Sequence, residues 1–164
     1  MIASSSPTSP AQGWTVAPAS RGLASRLVAG FLHVSTGLVL AAAVLGLSIA
    51  NGIISRGVVV AEPSDVATLR ALSPVFALFG VVAAGHVLAG LGTVFGSRGA
   101  AALGIGLGAL DVVAGIVALA VAATGEKGRF DGVGLATTFI VLGIVLAVSA
   151  RAADWNTHGP VAEG

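Results

Sequence analysis

The chain has 164 residues, 55% of them hydrophobic and only 9% charged, with a formal net charge of +1, a mean hydropathy of +1.00 and no cysteine. An ordinary soluble domain carries about 25% charged residues, so this composition argues against a water-soluble globule. The near-neutral balance offers no basic surface for nucleic acid. The absence of cysteine excludes disulfides, thiolate metal sites and thiol catalysis.

Residues 1–22, rich in Ser, Pro and Ala and without apolar periodicity, are expected to form a disordered N-terminal tail. No charge intervenes between Arg26 and Arg56, between Arg70 and Arg98, or from Gly132 to Ala150, and Gly99 to Gly125 contains Asp111 as its single charge. Crossing a bilayer core takes about 20 apolar residues. The runs therefore predict an all-α, polytopic membrane protein, a bundle of four transmembrane helices within a domain at 23–155. The spans are expected at about 27–50, 74–95, 100–123 and 132–150, with a polar C-terminal tail at 156–164. The first run is too long for a signal-peptide core and follows a polar lead, so it reads as a retained span.

Between the first two spans, Pro63-Ser64-Asp65 is expected to start a short surface helix that ends by Arg70. Ser73-Pro74 then reads as the start of the second span, a hydroxyl cap followed by proline at the first helical position. Gly96-Ser97-Arg98-Gly99 predicts a tight turn, making the second and third spans an antiparallel hairpin. TGEKGRFDG (124–132) reads as a charged loop before the fourth span, after which Arg151 and Trp155 stand where interfacial anchors are expected.

Orientation by positive charge alone is a tie. Arg21, Arg26, Arg98 and Arg151 lie on one side, and Arg56, Arg70, Lys127 and Arg129 on the other. Two arginines directly before the first span favour cytoplasmic termini. Glu62, Asp65, Glu126 and Asp131 all lie in the opposite loops, a weaker pointer in the same direction.

One hexapeptide pattern recurs in every span. HVSTGL (33–38), HVLAGL (86–91), DVVAGI (111–116) and FIVLGI (139–144) share a first residue X, a β-branched residue, two free positions, glycine, and Leu or Ile. X and the glycine are four apart and share a helix face. The glycine leaves a notch where a neighbouring helix can approach. In so apolar a sequence the aliphatic part can arise from composition, but His33, His86 and Asp111 at position X stand out. Ionisable residues within a bilayer are rare and face the bundle interior.

The third span carries a stripe of small residues, Ala101, Gly104, Gly108, Gly115, Ala118 and Ala122, with Asp111 in it. The second carries Ala83, His86, Gly90, Thr93 and Ser97. Gly37, Gly90, Gly104, Gly108 and Gly115 are expected to be helix-packing positions. The stripes of the second and third spans are expected to face each other and bring His86 and Asp111 together.

At ~1.5 Å per residue, His86 and Asp111 lie roughly 18–20 Å from the turn, near the midplane, and His33 only about 10 Å inside the same face. Thr93 and Ser97 are candidates to bridge that gap.

Three functions follow in descending order. The first is a structural or accessory subunit of a membrane complex, with His86 and Asp111 as a packing pair. The second is a small proton-coupled transporter or proton path using the same pair, with His33 toward the cytoplasm. The third is a b-type haem between His33 and His86, which the depth difference disfavours. No enzyme is expected: there is no HExxH or SxxK, and Lys127 is the only lysine. GIGLGAL lies inside an apolar span and reads as packing, not a phosphate loop, and His158 reads as a solvated tail residue. No cofactor or metal is called for. The expected partners are the lipid bilayer and either further copies of the chain or another membrane protein.

The Ala/Gly/Val-rich spans, the scarcity of lysine and the elements HVSTGL and HVLAGL resemble small four-span membrane proteins of high-GC Gram-positive bacteria. The resemblance covers the spans and neither tail. It implies a bacterial plasma membrane, and no particular activity or residue role.

Overall fold

A computed structural model describes residues 22–57, 63–124 and 129–159. The expected disordered tail lies outside the described residues except for Gly22, as do 58–62, 125–128 and 160–164. Four helices follow one another: α1 (Leu23–Ser55), α2 (Pro63–Val94), α3 (Arg98–Thr124) and α4 (Arg129–His158). Each is long and apolar enough to cross a membrane. The protein is an all-α four-helix bundle of the multi-pass membrane type.

Side-chain size is sorted for lipid. Phe31, Val39, Val81, Leu88, Val121 and Val148 point outward, whereas the buried core is Ala29, Ala83, Ala89, Ala101, Ala136, Ala150 and Ala153 with Leu146. In water the large apolar side chains would go inside. Against hydrocarbon they gain nothing by hiding, and helices associate by close approach of small residues.

The helices run past the apolar runs that define the spans. α1 has 33 residues, about 50 Å at 1.5 Å per residue, against a hydrocarbon core of about 30 Å. Pro74 does not begin a helix. It stands inside α2, which is continuous from Pro63, so the expected separate surface helix is the first part of α2. The apolar stretch of α2 does begin at Ser73. The Ser-Pro pair thus marks where the hydrophobic part starts, because a proline in a long helix removes one backbone bond without ending it when neighbouring structure holds the chain.

The α2–α3 turn is tight, as expected. Gly96 has φ 77°, the left-handed conformation that glycine adopts without a Cβ penalty. Its N–H donates to the Thr93 carbonyl at 2.9 Å and the Ser97 N–H to the Gly92 carbonyl at 2.9 Å, the double bond of a Schellman cap. Ser97 Oγ then accepts from Ala100 N at 3.3 Å and caps α3. Gly22, before α1, lies against Asn156 and Thr157 of α4, so both described ends are at the same end of the bundle.

The tight seams are not where the small stripes suggested. α1 packs chiefly on α2 and α3 chiefly on α4, while α2–α3 and α1–α4 contacts are sparser. The α2 stripe faces α1: an ideal Cβ on Gly37 would sit 2.6 Å from the Ala83 carbonyl oxygen, and one on Gly90 2.6 Å from the Gly30 oxygen. The α3 stripe faces α4: Gly108 meets the Gly143 oxygen at 2.6 Å and Gly115 the Ala136 oxygen at 2.8 Å. α2 meets α3 through another face, at Gly85–Leu107 and Gly92–Ala100. Periodicity shows that a helix has a small face, and the partner is decided by which other helix offers a matching one.

Candidate polar site in the bundle core

The two hairpins are built alike. On α1 the small residues Gly30 and Gly37 bracket His33, and on α2 Ala83 and Gly90 bracket His86. On α3 Gly108 and Gly115 bracket Asp111, and on α4 Ala136 and Gly143 bracket Phe139. The contacts repeat as well: Gly30 with Gly90 and Gly37 with Ala83, then Gly108 with Gly143 and Gly115 with Ala136. Each hexapeptide therefore holds its X residue between two points of backbone contact, roughly one turn to either side. His33 corresponds to Asp111, and His86 to Phe139.

These brackets bring three of the four X residues into one buried array. His33 Nδ1 lies 3.0 Å from His86 Nδ1, with the rings stacked, centroids 5.3 Å apart and planes inclined by 24°. On its other side His86 Nε2 lies 3.3 Å from Asp111 Oδ2, without the alignment of a good hydrogen bond. His33 and His86 are 0% exposed and Asp111 4%. His33 Nε2 makes no well-formed hydrogen bond either. It lies against Gly104, whose added Cβ would come within 2.8 Å of it.

The position of His33 corrects the sequence reading. Arg26 reaches Gly96, and Gly30 and Gly37 meet Gly90 and Ala83, so α1 and α2 run in register from the same end. Counted from Arg26 and Gly96, the two histidines differ in depth by three residues, or about 4.5 Å. Two imidazole side chains span that difference. The expected gap does not exist, and Thr93 and Ser97 bridge nothing: Thr93 Oγ1 donates to the Ala89 carbonyl of its own helix at 2.7 Å, and Ser97 caps α3.

His158 is not a free tail residue. It ends α4, with Nδ1 3.1 Å from Asp154 Oδ1 and its carbonyl accepting from Arg98 at 3.4 Å.

The five packing glycines all lie at close approaches, and Gly104 has the added task of making room for the His33 ring. Sequence reasoning missed Gly30 and Ala136 as partners of these positions. A signal was present: a small residue stands three positions before X in all four spans.

The array does not suit a haem. With metal–imidazole bonds of about 2 Å, an iron between two axial nitrogens would hold them about 4 Å apart, and here they are 3.0 Å apart with the rings stacked on each other. Among the described residues no group of three or more His, Asp or Glu side chains is arranged to hold a metal ion.

Energetically the glycine seams and the polar array differ. Interhelical polar contacts contribute only about 0.6–1.7 kcal/mol, whereas an aspartate at the centre of a span costs about 2.5–3.5 kcal/mol on insertion scales. Packing explains the glycines and leaves the carboxylate unexplained.

No protein family, curated protein or solved structure matches the chain.

Proposed function

We propose that this four-span protein is a structural or accessory subunit of a membrane complex in a bacterial plasma membrane, oriented with both termini in the cytoplasm. One observation carries the reading. Backbone meets backbone in both hairpins at Gly37, Gly90, Gly108, Gly115 and Gly143, where an added Cβ would lie within 2.9 Å of a neighbouring helix. A bundle closed this way is solid along its seams and presents long apolar faces outward, as befits a packing unit. His86 and Asp111 then meet where the first hairpin adjoins the second.

The orientation rests on Arg21 and Arg26 ahead of the first span. The bacterial assignment, to a high-GC Gram-positive membrane, rests on the resemblance of the spans. Solubilising native membranes in mild detergent and isolating the tagged chain tests the reading. A stable complex with a different membrane protein is expected. Recovery solely as single chains or homodimers would overturn it.

A second reading, a small proton-coupled transporter, is favoured by the buried array of His33, His86 and Asp111. It requires the hairpins to part or the chain to dimerise, since a closed seam leaves a solute no route.

A further inference from the structure

Three ionisable groups in a row have two gaps between them, one closed by a 3.0 Å hydrogen bond and the other a 3.3 Å contact that a small rotation of the Asp111 carboxyl would have to align. The His33–His86 gap joins Nδ1 to Nδ1, so one ring donates and the other accepts. The second gap joins the opposite nitrogen of the His86 ring to a carboxylate oxygen. His86 therefore touches its two neighbours through different atoms, the geometry a neutral imidazole needs to take a proton on one side and release one on the other.

We propose that His33, His86 and Asp111 form a single proton-binding site in which the two imidazoles relay a proton between His33 Nε2 and the Asp111 carboxylate. This goes beyond packing and deepens the second reading above by naming the ion and the atoms that carry it. In the proton-free form Asp111 is a carboxylate, His86 carries its hydrogen on Nε2 and His33 on Nδ1, and His33 Nε2 is bare. A proton arriving at His33 Nε2 sends the Nδ1 hydrogen of His33 to His86 Nδ1. The Nε2 hydrogen of His86 passes to Asp111 Oδ2. The loaded form is electrically neutral: Asp111 is a carboxylic acid donating to His86 Nε2, His86 donates from Nδ1 to His33, and His33 carries its hydrogen on Nε2. One proton has been taken up and both rings have exchanged tautomers.

The surroundings suit this exchange. α1 contributes His33, α2 contributes His86, and α3 contributes Asp111. α4 contributes Ala150, whose Cβ lies beside Gly104 as His33 Nε2 does. Of the cations, Arg151 follows Ala150, which lies beside Gly104 and His33, and its side chain is exposed, while Arg26 lies at the Gly96 end of the bundle. The array spans both hairpins, so loading it changes the charge at their junction. The far end of the relay, His33 Nε2, lies against Gly104, whose missing Cβ makes room for the ring.

Only three histidines are present, which makes ring-nitrogen NMR of the full chain, labelled with 15N-histidine and reconstituted in lipid, a direct test. Across a pH titration His33 and His86 are expected to exchange tautomers in one joint transition, accompanied by the carboxylic-acid C=O band of Asp111 in the infrared. In Asp111→Asn, checked for folding by circular dichroism, the joint transition should be lost. The proposal is overturned if the two rings keep their tautomers throughout in the parent chain, if they titrate independently, or if folded Asp111→Asn retains the joint transition. Measured on the isolated chain, these outcomes are independent of whether a partner co-purifies. A transporter reading could still fail, for want of any coupled solute flux, with the joint transition intact.

Discussion

Replacing Gly108 by alanine adds one methyl group at the centre of the α3–α4 seam. That carbon would lie 2.6 Å from the Gly143 carbonyl oxygen, 2.7 Å from the Ala147 nitrogen and 3.0 Å from the Ala147 Cβ. Ordinary contact begins at 3.4 Å, so the opposing backbone must retreat by about 0.8 Å (3.4 less 2.6). No flexible side chain is available to give way, and the two helices must separate as rods. A gap of roughly 0.5–1 Å forfeits a quarter to a half of each affected van der Waals contact. Overpacking of this kind costs about 1–3 kcal/mol, with rigid backbone opposite favouring the upper part of that range. Alanine returns about 1 kcal/mol through its better helix propensity, so the net loss is about 1–2 kcal/mol.

Gly106, two residues away, has nothing within 4 Å of an added Cβ, and Gly106→Ala should stabilise by up to about 1 kcal/mol. Reversible unfolding by SDS in mixed micelles, followed by circular dichroism, reads both. The opposite signs are the signature. If both variants shift the midpoint in the same direction, the seam does not close at Gly108.

Gly108→Leu should lower stability further still and by more than Leu110→Ala, since the Leu110 side chain is half-exposed toward lipid. Cysteines at Gly85 and Leu107, whose side chain comes within 3.3 Å of the Gly85 Cβ position, should be joined by a short crosslinker. A pair at Ala83 and Gly115, facing α1 and α4 respectively, should not be. The reverse pattern would mean that the small stripes of α2 and α3 meet after all. Gly104→Ala should move the 15N resonances of His33 and leave those of His158 unchanged, and an unmoved His33 would remove Gly104 from its surroundings. Reporter fusions at Thr124 and Glu163 should reveal opposite sides of the membrane; the same side for both would remove α4 as a span.

Four apolar runs, each long enough for a bilayer and separated by charges or turn residues, were enough to specify the spans, because hydrocarbon thickness acts on each helix alone. The Gly96–Ser97 turn was legible for the same reason: a left-handed glycine and a capping hydroxyl act within a few residues. The hexapeptide, too, was visible in the chain, and with it the identity of His33, His86 and Asp111 as residues needing an explanation. The approach of His86 to Asp111 followed from their equal distance from the turn, but the arrival of His33 beside them was a different matter. The side that each small stripe faces depends on competition among all four helices, and α2 found its match in Gly30 and Gly37 of α1 and not in α3. The depth of His33 depends on the register of α1 against α2, which the brackets at Gly30–Gly90 and Gly37–Ala83 set to within a turn. Periodicity is a property of one helix and register is a property of two, so the array of two imidazoles and a carboxylate came into being only when the hairpins closed.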